Sequence, residues 1–299
     1  MSNKLFAFST LLVFSVISNC YTQELHKHFE VAQSSNTDKV ALSVFTKAGS
    51  SFINGVSSVK PLEIYSENEN NIAASTYKIQ EFQDHKYVEA NLTCKNHVGL
   101  NFTEAIAKNI FSPDIDAKDV WQIKLSENTL YNLSLNYLLG SAEIDLSRLS
   151  VERLKVNSGS ADVFLNYADG KRNAVAMDTF FVKVNLGDIV VENLNLALAK
   201  EIIAEVGFGS IYLNCGNNWQ INSKVSASVG AGSMTIHLPP DDIPVLVRIK
   251  NSALCHIKLA SDYKKVGHNL YGNAAYMKNK QEFLEFSLDV GMGSISFLH

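Results

Sequence analysis

From Tyr131 onward the chain keeps returning to one phrase, in which two small residues separated by one position are followed by apolar residues at every second position. It reads Gly140-Ser-Ala142-Glu-Ile144-Asp-Leu146, Gly159-Ser-Ala161-Asp-Val163-Phe-Leu165, Asn185-Leu-Gly187-Asp-Ile189-Val-Val191, Gly207-Phe-Gly209-Ser-Ile211-Tyr-Leu213 and Gly230-Ala-Gly232-Ser-Met234-Thr-Ile236. A degenerate copy follows at Asn251-Ser-Ala253-Leu-Cys255-His-Ile257, and a last one at Gly291-Met-Gly293-Ser-Ile295-Ser-Phe297. The second small residues lie 19, 26, 22, 23, 21 and 40 residues apart. Such self-similarity marks a solenoid, and the last interval holds an insertion. Alternation after the small pair is the period of a β-strand, which sends every second side chain to one face. Ile144, Val163, Ile189, Ile211, Met234, Cys255 and Ile295 are expected to form one interior column. Leu146, Leu165, Val191, Leu213, Ile236, Ile257 and Phe297 form a second. One rung cannot bury such a face, so stability must come from stacking, at roughly 1.5–3 kcal/mol per covered aliphatic side chain.

Upstream the pattern is weaker. Ala41 to Gly55 alternates like a rung with a Gly-Ser corner, while Leu62–Tyr65 and Tyr87–Cys94 read as further strands. Ser112 to Asp119 reads as a loop, and Val120-Trp-Gln-Ile-Lys-Leu125 as a strand entering the repeat. The expectation is an all-β chain, a right-handed single-stranded β-solenoid (β-helix-like) over 119–299 behind a β-rich N-terminal region over 23–118.

Residues 1–22 carry a different signal. Lys4 precedes an apolar run from Leu5 to Ile17, followed by small and polar residues. This is the layout of a cleavable secretory signal and is too short for a membrane span of roughly 20 residues. The mature chain is therefore expected to lack a transmembrane helix and to be exported to the periplasm, the outer-membrane surface or the medium. Cys20 stands where a lipoprotein signal places its acylated cysteine and is the lipidation candidate. Membrane association is expected only if it is acylated. Cleavage near Gln23 is the alternative. Cys94, Cys215 and Cys255 lie far apart without the spacing of a zinc or redox pair. The net charge of -4 is spread over many sign changes, so the basic footprint that nucleic acid requires is missing.

Trp121-Gln-Ile-Lys-Leu125, leading into Leu133-Ser-Leu-Asn-Tyr-Leu-Leu-Gly140-Ser-Ala-Glu-Ile-Asp-Leu146, resembles the toast-rack family of bacterial envelope proteins, and more distantly LiaF-like and adhesin-like relatives. Val229-Gly-Ala-Gly-Ser-Met-Thr-Ile-His-Leu-Pro239 and the closing Val290-Gly-Met-Gly-Ser-Ile295 support it. The resemblance implies a β-solenoid and an exported or surface-anchored location. It transfers no catalytic residues.

Glu143, Asp162 and Asp188 hold the same slot in three successive copies and are expected to form an outward column of carboxylates. Two full charges about 5 Å apart repel by roughly 0.8 kcal/mol in water and about 3 kcal/mol at an effective dielectric of about 20, so something must relieve them. Lys171 and Arg172 from a loop are one answer, and bound Ca²⁺ is another. Stacked acids on such a face also suit a polysaccharide lyase or hydrolase. No other cofactor is implied. Beside the acids, Phe164, Val190 and Tyr212 form an outward apolar strip of the kind that meets partners. The leading expectation is a non-enzymatic envelope or surface protein, adhesin-like, binding a protein or glycan of the cell envelope. A carbohydrate-active enzyme and a structural scaffold are the alternatives.

Overall fold

The computed structural model describes residues 26–32, 39–66, 68–82, 85–94, 120–219, 222–250 and 256–299. The chain opens with β1 (His26–Val31) and winds its first coil as β2 (Lys39–Thr46) and β3 (Ser50–Val56). β4 (Leu62–Ser66), helix α1 (Glu69–Ala74), β5 (Thr76–Glu81), β6 (His85–Leu92) and β7 (Val120–Ser126) follow. Five regular coils come next: β8 (Leu130–Tyr137) with β9 (Ser141–Asp145), β10 (Ser150–Ser158) with β11 (Asp162–Asn166), β12 (Met177–Val184) with β13 (Asp188–Val191), β14 (Ala199–Val206) with β15 (Ser210–Asn214), and β16 (Lys224–Val229) with β17 (Ser233–His237). After β18 (Val245–Lys250) and β19 (His256–Lys258), an antiparallel pair, β20 (Lys264–Gly267) and β21 (Leu270–Gly272), leads through α2 (Ala274–Lys278) to the last coil, β22 (Leu284–Val290) and β23 (Ser294–Leu298).

Each regular coil thus gives two strands rather than one, a longer strand to one sheet and a shorter strand to the other. The longer strands build a twelve-stranded sheet and the shorter ones an eleven-stranded sheet, called here the long-strand and short-strand sheets. The expected β-solenoid is the fold observed. Parallel pairing runs through the stack, and antiparallel strands close it: β4 and β1 on β7, β5 on β6, and β21 and β20 on β18.

The stack does not follow chain order at either end. β2 is paired on both sides, with β6 and with β8, and β3 lies between β7 and β9. At the far end β22 lies between β16 and β18, and β23 between β17 and β19. The first and last coils are therefore each next to outermost. One consequence is that the expected division at 118/119 separates no sheet from another, because residues 39–56 are interior to the solenoid. Another is that β7 does not lead into the regular coils by position. The chain crosses from β7, beyond the first coil, to β8 on its other side, and Tyr131 fastens the crossing with its hydroxyl donating to the carbonyls of Pro61 (2.6 Å) and Ser126 (3.1 Å).

The core lies between the sheets. Leu42, Leu133, Leu154, Phe180, Ile202, Val225 and Phe286 stack in register on the inner face of the long-strand sheet and are all buried. Opposite them Ile53, Ile144, Leu165, Val191, Leu213, Ile236 and Phe297 form one column of the short-strand sheet. This register corrects the expected columns at two places. Ile144 pairs with Leu165, and Val163 pairs with Ala142, so the copy at Gly140 slides by two residues and its corner is Leu138-Leu139-Gly140. The degenerate copy slides likewise, with Ile257 opposite Ile295; Cys255 lies outside the described residues, as do the 1–22 segment and Cys20. The physical reason is the corner. A Cβ on Gly140, at φ +97°, would stand 2.0 Å from the carbonyl oxygen of Gly49 one coil below, so a glycine is required there and not two residues later.

Candidate functional site

The outer faces of the two sheets differ in how their charges are matched. On the long-strand sheet acids meet bases on neighbouring rungs: Lys183 with Glu205 (2.9 Å), Lys200 with Asp178 (2.8 Å), Arg248 with Glu285 (3.3 Å) and Lys250 with Asp289 (2.9 Å). The Lys200 ammonium holds the Asp178 carboxyl below the usual carboxylate range. One of its outward rings, Phe181, has Lys155 as register partner, with Nζ 5.6 Å from the ring centroid.

On the short-strand sheet Lys60 pairs with Glu30 (2.8 Å) and Glu63 (3.8 Å) at the β1–β4 edge, but among the described residues Glu143, Asp162 and Asp188 have no such partners. Asp162 and Asp188 occupy one column with Ser50 and Ser141 before them and Ser210, Ser233 and Ser294 after. Glu143 is not in it. It pairs with Phe164 and stands in the next column, whose order is Phe52, Glu143, Phe164, Val190, Tyr212. The expected three-acid column is thus two acids in register and a third set diagonally, a direct result of the two-residue slide at Gly140. Hydrogen bonds between rungs ease the repulsion: the Asp188 amide donates to Asp162 Oδ1 (3.1 Å), and Ser210 Oγ donates to Asp188 Oδ1 (2.5 Å). Among the described residues no lysine or arginine lies within ion-pair distance of Glu143, Asp162 or Asp188. Lys171 and Arg172 follow β11, at the opposite end of that strand from Asp162, and do not bridge these acids.

The side chains of this face enclose a shallow groove of about 280 Å³, lined by Phe52, Glu143, Asp162, Phe164, Asp188 and Val190. Phe52 and Phe164 are exposed by 39% and 37%, high for phenylalanines in a strand, and they flank Glu143 on either side. The outward strip expected from Phe164, Val190 and Tyr212 is therefore present. Phe52 was not foreseen in it, because its rung lies in the N-terminal segment that local pattern separates from the repeat. Its signal was the Gly49-Ser-Ser-Phe-Ile phrase, which matches Gly140-Ser-Ala-Glu-Ile position by position.

One further group was not foreseen. The exposed His299 ring lies between Asp241 and Asp262, 3.2 Å from each, at the rim of the far end. Cys94 and Cys215 are buried and unbridged; burial pushes the Cys215 thiol up to about 12, which makes it inert. Among the described residues no helix is long and apolar enough to cross a membrane.

No curated protein matches the chain. A solved structure, that of a "putative cell adhesion protein" from Clostridium sporogenes, is similar over 92% of this chain and 99% of its own, with 14% identity and a TM-score of 0.42. The model of the N-terminal domain of toast_rack, DUF2154, matches residues 41–187, just under half of the chain. That stretch runs from the first coil through the crossing at Tyr131 to the corner at Gly187, taking in Phe52, Glu143, Asp162 and Phe164 of the groove, and it is this stretch that belongs to the toast-rack family.

Proposed function

We propose that this protein is an exported, adhesin-like surface module that binds an envelope partner through the outer face of its short-strand sheet. One observation carries the reading: Asp178, Glu205, Glu285 and Asp289 on the other sheet are matched by lysines and arginines, whereas among the described residues Glu143, Asp162 and Asp188 stand without an ion pair beside exposed phenylalanines around a groove. Unmatched charge next to exposed apolar area costs a protein stability and solubility, and a ligand that covers both removes the cost. Export rests on Lys4 and the apolar run Leu5 to Ile17, with Cys20 as the lipid attachment point or Gln23 near the new N-terminus. Intact mass of the protein recovered from its native cells distinguishes a diacylated Cys20 from a chain cut near Gln23, and an uncut chain would overturn export.

The binding reading is tested by replacing Phe52 and Phe164 together with alanine. Both are outward, so folding should be retained while binding to isolated cell envelopes falls at least tenfold. Undiminished binding would move the site elsewhere. The same acids support the second reading, a polysaccharide lyase or hydrolase. Incubation with a polysaccharide panel would favour it if new reducing ends or unsaturated products appeared and were lost in Asp162→Asn.

A further inference from the structure

We infer that the groove takes a cationic side chain, the lysine or arginine of a partner protein, seated on Phe52 and Phe164 with its charge at Glu143. The inference rests on the proposed binding face and adds the chemistry of what fills it. Elsewhere two outward rings carry a lysine: Phe181 has Lys155 at 5.6 Å, and Tyr65 has Lys124 at 4.9 Å. At the groove no such cation is present among the described residues. The register partners of Phe164 are Glu143 and Val190, and those of Phe52 are Glu143 and Gln122. Two rings therefore flank a carboxylate at about one rung spacing, about 4.8 Å, on either side. Among the described residues no hydrogen bond or ion pair holds the Glu143 carboxylate. Asp162 and Asp188 add negative charge along the adjacent column, and Val190 extends the apolar floor by one rung.

Ring faces attract a cation, and a carboxylate beside them completes the attraction. Lysine and arginine also carry a methylene stem that covers apolar surface while the charged head stays polar, which matches a floor of Phe and Val rimmed by acids. A neutral sugar could lie on the rings but would leave all three carboxylates without a counter-charge, so the observations favour the basic protein segment.

The test is titration of the folded protein with fluorescent octalysine, with its fully Nε-acetylated form and with neutral N-acetylglucosamine oligomers, at low and high salt. Octalysine should bind saturably, weaken at least tenfold in Glu143→Gln/Asp162→Asn, weaken on raising salt, and be unaffected within twofold by Glu205→Gln on the other sheet. The acetylated peptide should not bind. Equal octalysine binding by wild type and Glu143→Gln/Asp162→Asn, or none at all, overturns the inference. If the neutral oligomers bind and Phe164→Ala abolishes this while Glu143→Gln does not, the binding face stands and its cationic ligand does not. If no probe responds to either change, both fall.

Discussion

The corner glycines show how a single hydrogen atom decides coil spacing. A Cβ on Gly209 would lie 2.0 Å from the carbonyl oxygen of Gly187 on the next coil, a backbone atom that cannot move unless the coils part. Gly170, unlike Gly209, has positive φ, +70°, but its Cβ would meet nothing within 4 Å. Gly209→Ala should therefore destabilise by about 3 kcal/mol or more, and Gly170→Ala by about 1 kcal/mol, the conformational cost alone. Urea denaturation checks the contrast, and equal losses would mean that coil contact is not what the glycine serves. The same residues explain what local pattern can and cannot convey. Gly140 can be read as the first or the second residue of the small pair, because Ala142 serves as the other small residue or as the first apolar one and Ile144 and Leu146 are both apolar; the pair Gly140-Ser-Ala142 favours the first reading, since Leu138 is not small. Only the contact with Gly49, on a rung about 90 residues earlier, selects the second reading. The acids inherited that ambiguity, so Glu143 was expected one slot from where it stands.

At the level of elements, strands and their alternation were legible, since each inner apolar residue repeats at period two. Partner choice was not. Nothing in Lys39–Thr46 states that it will lie between β6 and β8, and the long strands themselves, such as Leu130–Tyr137, carry polar residues on the outer face that vary freely. The displaced coil β18 depends on a single side chain. Asn273 is 3% exposed; its Nδ2 donates to the Ile243 carbonyl (2.8 Å) while its Oδ1 accepts from the amides of Val245 (3.1 Å) and Tyr276 (2.9 Å), joining the start of β18 to the N-cap of α2. Asn273→Ala leaves the Ile243 carbonyl and Val245 amide without these partners and should cost about 2–4 kcal/mol. Hydrogen exchange should show faster exchange in β18 and α2 with β12 to β15 unchanged. Uniform acceleration would show instead that the end coil and the centre unfold as one unit.

Across the whole molecule the core is a continuous slab between two sheets, and it holds tyrosines as well as aliphatic residues. Burial raises the pKa of Tyr131, Tyr137 and Tyr167 well above the ordinary value near 10. A raised folded-state pKa contributes stability that is fully present below the unfolded value, and that is lost as pH climbs above about 10 toward the folded one. These three should ionise only as the solenoid collapses. Tyrosinate absorbance followed with circular dichroism should therefore show a late, cooperative phase coincident with loss of β signal. Early ionisation with the sheets intact would contradict this burial.

The placement of the first and last coils inside the stack bears on how the molecule would carry load. A pull on the N-terminus peels the edge strand β1 first and then meets β2, which is bonded along both flanks. A pull on the C-terminus meets β23 at once, likewise held by β17 and β19. Force must then shear two rows of parallel backbone bonds together instead of unzipping them one at a time, so tethering through the chain ends would grip the solenoid where it is least able to unwind.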